Sequence, residues 1–257
     1  MEAPPRIRVG CCGFPARRRE YFQRFPVVEI QQTFYKLPRL KTAEGWRIEA
    51  NTVRPSGGCP AFEFTIKAWQ LITHEPSSPT YRRLGRPIPE AERDAVGSFR
   101  PTEPVFRAWE STAAVARALG AAVIVFQCPP RFTPTPEHAA NLRAFFQRID
   151  REGRTMAWEP RGDWPPALVR DLCADLKLIH VVDPLRHRPQ TEGLRYFRLH
   201  GVTGYRYLHT DDDLEALSQA CAGEAPAYVL FNNLFMGEDA LRFLQRIGPM
   251  AHQAERQ

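Results

Sequence analysis

Short apolar runs recur eight times along this chain, most of them separated by stretches with a helical pattern, and that rhythm constrains the fold more than any other feature. The runs are residues 7–10, 27–30, 62–68, 123–126, 155–159, 178–182, 196–200 and 227–231. Strand-like runs alternating with helical segments mark successive βα units, which build parallel sheets. Eight such units close into a barrel of about 250 residues, and the chain has 257. The expected architecture is therefore α/β, a single, somewhat irregular (β/α)8 TIM barrel over residues 1–257.

The segments between the runs carry helix punctuation. Residues 137–149 follow Pro136, and 214–221 follow Thr210 and three aspartates suited to a positive helix end. The alanine-rich stretch 108–119 stops at Gly120, and 238–247 is closed by Gly248 and Pro249. The sixth connection, 183–193, is too short for a full helix. Residues 69–104 form the longest stretch without a helical pattern, rich in proline, serine and arginine, and are expected to be a long loop after the third strand. A loop of that length is either a lid over a pocket or a floppy insertion.

Composition narrows the class. Apolar residues make up 43% and charged residues 25%, ordinary for a globular chain. Residues 1–8 contain proline and no apolar signal core, and no uninterrupted apolar stretch reaches roughly 18 residues. Neither secretion nor a membrane partner is expected, and the cytoplasm is the expected location. The six cysteines show no C-x-x-C spacing, so buried, reduced thiols are expected, including the adjacent Cys11 and Cys12. No metal ligand and no cofactor is assigned.

The strands depart from continuous apolarity in one informative way. Along the third, Phe62, Phe64 and Ile66 share one face while Glu63, Thr65 and Lys67 share the other. In the fifth, Met156 and Trp158 oppose Ala157 and Glu159; in the seventh, Phe197 and Leu199 oppose Arg198 and His200. If the oily faces pack on helices, the polar faces point into the barrel and converge at the carboxyl ends of the strands, where barrel active sites are built. Glu29, Lys67, Gln127, Glu159, Arg161, Asp183, Arg198, His200 and Asn232 are then the candidates for one site. Charges are costly to bury without partners, which leaves two explanations for such a set: a functional site or interlocking ion pairs. Tyr35, Trp69 and Tyr205, just past strand ends, are the aromatics best placed to wall a pocket.

Six segments together resemble the YecE-like family, domain of unknown function 72. They are Glu29-Ile30-Gln31-Gln32-Thr33-Phe34-Tyr35, Ile66-Lys67-Ala68 through Leu71-Ile72-Thr73-His74, Phe126-Gln127-Cys128-Pro129-Pro130, Glu159 with Arg161, Arg198-Leu199-His200-Gly201 and Phe231-Asn232-Asn233. They occur in the family's order over nearly the whole chain. The resemblance implies a TIM barrel and supplies no established reaction; its segments add Thr33, His74 and Asn233 to the candidate binding residues. The chain departs from the family pattern at Gln31-Gln32, Gly162 and Leu234, where asparagine and serine, histidine, and aspartate are usual.

Three functions suit these residues. In the first, an enzyme takes a small anionic or phosphorylated substrate, with Lys67, Arg161 and Arg198 holding negative charge and Glu159 or His200 moving a proton in acid–base or hydrolytic chemistry. In the second, Glu29, Glu159, Asp183 and His200 hold a metal that assists phosphodiester cleavage. In the third, Arg17, Arg18, Arg19, Arg82, Arg83, Arg86, Arg93 and Arg100 bind nucleic acid without catalysis, a partner that the net charge of +6 suits. Catalysis is assigned to Glu159, His200 and Lys67. No glycine-rich phosphate loop, nucleophile elbow or dinucleotide fingerprint is present.

Overall fold

A computed structural model describes residues 6–54, 61–85 and 87–251. Its strands are β1 (Ile7–Cys12), β2 (Val27–Ile30), β3 (Glu63–Lys67), β4 (Ala121–Gln127), β5 (Thr155–Glu159), β6 (Leu178–Val182), β7 (Arg195–Leu199) and β8 (Ala227–Phe231). They form a closed barrel in chain order. The fold is the expected (β/α)8 barrel, and β2, β5, β6 and β8 match the apolar runs to the residue. β1 runs on through Cys11 and Cys12, which pair with Val28 and Glu29. β7 stops one residue early, so His200 lies just past the strand.

Among the described residues eight helices accompany the strands: α1 (Arg18–Arg24), α2 (Leu40–Val53), α3 (Gln70–Thr73), α4 (Glu103–Leu119), α5 (Pro136–Arg148), α6 (Pro166–Leu176), α7 (Asp211–Ala220) and α8 (Met236–Ala251). The expected starts shift toward the amino end. α7 takes in all three aspartates, because Thr210 accepts the Asp213 N–H at 3.2 Å while the Asp213 carboxylate accepts the Thr210 N–H at 2.8 Å. α4 begins five residues early, with Pro104 in its first turn, where a missing N–H costs nothing. α8 passes the stop expected at Gly248 and Pro249. The connection between β6 and β7 holds no helix, as its length requires.

The 69–104 stretch is not helix-free. It holds α3 and two 3₁₀ turns, Pro79–Arg83 and Glu90–Ala95. Its far end returns to its start: the Gly97 and Phe99 N–H groups donate to the carbonyls of Leu71 and Ile72 at 2.7 and 2.8 Å.

The chain divides into two compact units. The first comprises Met1–Glu29, Arg47–Phe64 and Val181–Gln257; the second comprises Ile30–Trp46 and Thr65–His180. In the first, Phe22 of α1 packs on Phe62 and on Phe64 of β3, and Phe231 of β8 meets Phe243 of α8. In the second, Trp109 of α4 stacks on Phe126 of β4, which also meets Phe145 and Phe146 of α5. The oily strand faces therefore pack on helices, as the alternation predicts. Burial of these rings stabilises the fold at about 25 cal/mol per Å² of apolar surface.

Polar groups of the first unit show where the other faces point. Arg198 of β7 donates to Glu29 of β2 at 2.9 Å, and Tyr196 donates to the second Glu29 oxygen at 3.0 Å. β2 and β7 are separated in the sheet by β1 and β8, so these bonds cross the barrel interior. At the amino ends of the strands Arg8 of β1 meets Glu63 of β3 at 2.6 Å, and the Tyr228 hydroxyl of β8 donates to the same carboxylate.

Candidate functional site

The second unit gathers a tight group of ionisable side chains. Lys67 is the last residue of β3 and is only 3% exposed; Glu159 is the last of β5, at 6%. Gln127, half-buried at the end of β4, stands opposite Glu159 in the strand register. Arg161, two residues past β5, aims both Nε and a terminal nitrogen at one Glu159 oxygen, each at 2.9 Å. The Lys67 ammonium lies 3.6 Å from the centroid of the buried Phe34 ring, on the turn that follows β2. A cation over a ring face is attracted by the ring quadrupole, so the ammonium has an electrostatic partner even where water is scarce.

His74 completes the group from the residue after α3. It is 4% exposed, meets Phe34 edge to face at 4.8 Å, and places Nδ1 2.8 Å from the Thr73 hydroxyl. Burial first, then the positive charges of Lys67 and Arg161, pull His74 from 6.5 down to about 3. The imidazole is neutral at pH 7, a hydrogen-bonding group rather than a third cation.

The backbone at His74 is held from two sides. The Tyr81 hydroxyl donates to its carbonyl at 2.6 Å, and Gly97 passes so close to that carbonyl that a Cβ would collide with it. Gly97, Ser98 and Phe99 all adopt left-handed backbone, with φ of 84°, 50° and 52°. For Ser98 and Phe99 such a conformation costs of order 1–3 kcal/mol each. It is stabilised by bonds from Ser98 and Arg100 to Glu75, at 3.0 and 2.8 Å.

Other expected binding residues of this unit act on the backbone or lie at the rim. The Thr33 hydroxyl sits 2.6 Å from the carbonyls of both Ile30 and Lys67, tying the turn after β2 to the end of β3. Tyr35 is half-buried, with the Arg83 guanidinium 3.5 Å from its ring centroid.

Trp69 is buried in this unit, and the remaining candidates lie in the first. Glu29 and Arg198 are fully buried and bonded to each other, which is the interlocking ion pair allowed by the sequence. Asp183, just past β6, accepts the backbone N–H groups of Leu185 and His200 at 3.1 and 3.2 Å, so it clasps the carboxyl ends of β6 and β7. His200 and Asn232 are half-buried and Tyr205 is 59% exposed. Asn233 is fully buried and donates to the Tyr207 carbonyl and to Asp239, both at 2.7 Å. Asp239 also holds the buried His209 through Nδ1 at 2.7 Å and Arg242 at 3.3 Å. Apart from Asn233, nothing in the sequence singles out this network, because His209 lies in a loop and Asp239 in α8, 30 residues apart.

Two other groups of expectations meet the structure here. Among the described residues no group of three or more His, Cys, Asp or Glu side chains gathers as metal ligands would, and that includes the four named for phosphodiester cleavage. In the arginine series, Arg18 pairs with Glu49 at 2.7 Å and Arg100 with Glu75, while Arg17, Arg19, Arg82, Arg83 and Arg93 are exposed. Arg86, residues 1–5 and Cys59 lie outside the described residues. The other five cysteines are free and buried, as expected. Among the described residues no helix is long and apolar enough to cross a membrane.

A closed (β/α)8 barrel with ionisable residues at the carboxyl ends of its strands defines the class of protein. The profile of the family described as "Protein of unknown function DUF72" matches residues 13–257, and the chain belongs to that family. Solved structures agree on the fold. A DUF72 family protein from Enterococcus faecalis V583 is 21% identical, with 94% of this chain and 97% of that one covered and a TM-score of 0.69. A second, from Thermotoga maritima MSB8, is 18% identical over 94% of this chain and 99% of that one, with a TM-score of 0.64. A xylose isomerase domain containing protein from Salmonella typhimurium LT2 is 14% identical over 97% and 98%, with a TM-score of 0.58. No curated protein matches the chain.

Proposed function

We propose that this chain is an enzyme that acts on a small anionic or phosphorylated substrate by acid–base chemistry, with the group around Lys67 as its site. The observation that carries this is the burial of Lys67, His74 and Glu159, all more than nine-tenths covered, at the ends of β3, α3 and β5. Ionised groups held out of water raise the energy of the fold unless something offsets them. Lys67 and Arg161 supply two positive charges near one carboxylate, and His74 feels both of them. An anion set among them is favoured by Coulomb attraction that is stronger there than in bulk water.

The roles follow from the chemistry of each group. Lys67 and Arg161 hold the negative charge, Lys67 as a point charge and Arg161 as a planar fork. Glu159, fixed by Arg161, is the group that accepts a proton. His74, neutral and oriented by Thr73, offers a hydrogen bond without a competing charge. These assignments make no demand on a metal.

The first test uses inorganic phosphate and thermal unfolding of the full chain. Phosphate is expected to raise the midpoint of the wild-type protein and to lose that effect in Lys67→Met; a midpoint that ignores phosphate in wild type would sink the proposal. For any phosphate ester that the protein turns over, Glu159→Gln should keep binding and abolish turnover. Unchanged turnover removes Glu159 from the role.

A further inference from the structure

A row of cations and rings leads from Lys67 to the surface of the second unit. The Lys67 ammonium covers Phe34 at 3.6 Å; Phe34 meets Tyr35 edge to face at 5.0 Å; the Arg83 guanidinium covers Tyr35 at 3.5 Å. One end is 3% exposed and the other is at the surface. Lys36 flanks the outer end, its side chain passing 3.6 Å from where a Cβ on Gly85 would lie. Among the described residues neither Arg83 nor Lys36 has a carboxylate partner.

The contact of Arg83 matters for what it leaves open. Its guanidinium carbon lies over the Tyr35 ring, a contact that engages the ring and not the five N–H donors of the guanidinium. That fork matches a phosphate or carboxylate, and its place is already held by Tyr35. An unheld surface arginine loses more side-chain freedom on binding an anion. The outer end of the row is therefore a prepositioned anion contact, separated from the inner one by two aromatic rings.

We propose that the ligand of this site carries two anionic groups, the inner held by Lys67 and Arg161, the outer by Arg83 with Lys36, and the stretch between them lying along Tyr35. A sugar bisphosphate has this chemistry, as does any short molecule with a phosphate or carboxylate at each end. The inference rests on the anion-binding role of the inner group given above.

The test is calorimetric titration of the full chain with butyl phosphate, 1,4-butanediol bisphosphate and 1,6-hexanediol bisphosphate. One of the bisphosphates should bind about tenfold or more tightly than the monophosphate, the size of one added hydrogen bond between charged groups. Arg83→Gln should return that bisphosphate to the monophosphate's affinity and leave the monophosphate unchanged. Arg83 is exposed, so the variant is expected to fold, and circular dichroism checks that it has. A bisphosphate advantage that survives Arg83→Gln combined with Lys36→Gln overturns the two-group ligand. So does the lack of any advantage in wild type, provided butyl phosphate still binds and is lost in Lys67→Met. Failure of all three probes to bind overturns the inner site, and the outer one with it.

Discussion

Replacing Arg198 by methionine should be among the most damaging single changes in this protein. Both Arg198 and Glu29 have side chains with 0% exposure, and once the guanidinium is gone the carboxylate keeps, among the described residues, the Tyr196 hydroxyl. Removing one partner of a buried pair leaves an uncompensated charge and costs about 3–5 kcal/mol. At about 2–4 °C per kcal/mol for a chain of this size, the unfolding midpoint should fall by roughly 10 °C. Tyr196→Phe removes one bond to a charged acceptor and should cost less, about 1.5–3 kcal/mol. Arg198→Met with Glu29→Leu should recover most of the loss, because an apolar pair no longer strands a charge. Urea unfolding of wild type, Arg198→Met, Glu29→Leu and the double variant, followed by circular dichroism and treated as a double-mutant cycle, measures the coupling directly. A single-variant cost under about 1 kcal/mol, or a double variant as unstable as the two singles added, would refute the claim that the pair is dry and mutually dependent.

Three further outcomes are expected. His74 is neutral in the fold and is held down to about 3, while the unfolded chain takes up its proton near 6.5; stability is therefore fully present above pH 6.5 and declines as pH falls from 6.5 toward 3. Urea midpoints across that range in wild type and His74→Gln isolate the share that belongs to His74, and identical slopes would contradict it. Gly201 has φ of 81° and no room for a Cβ against the Gly204 carbonyl, so Gly201→Ala should destabilise by at least 1–3 kcal/mol, whereas Gly204→Ala, with open space around it, carries backbone strain alone. Burial pushes the Cys11 and Cys221 thiols up to about 12, so a disulfide reagent at pH 8 should label them only on unfolding; rapid labelling of either in the native protein counts against the packing.

Sequence legibility followed the physics of each element. Strand positions were readable because a strand packed against helices must be apolar on that face over its whole length. The end of β7 was misread by one residue because the turn at Gly201 pulls His200 out of the ladder, which polarity alone does not encode. The turns within 69–104 were invisible, since three to five residues carry no 3.6-residue period. Lys67, Glu159, Arg161 and His74, all named from the sequence, lie together in the second unit, where Lys67 and Arg161 both act on His74. What alternation did not reveal is which charges take each other as partners. Glu29 meets Arg198 across the barrel and Asp183 serves backbone N–H groups, and both choices depend on strand stagger and loop course rather than on residue type.

The excursion after β3 leaves and rejoins the protein at one place, where Gly97 and Phe99 bond back to Leu71 and Ile72. A detour sealed at its neck can change length at modest entropic cost, about 0.6 kcal/mol for each doubling. Beyond that neck, Tyr81 and Arg83 reach back to the His74 carbonyl and to the Tyr35 ring. A longer or shorter version of this portion would exchange what Arg83 contributes and the Tyr81 hold on His74, while Gly97 and Phe99 keep the neck closed.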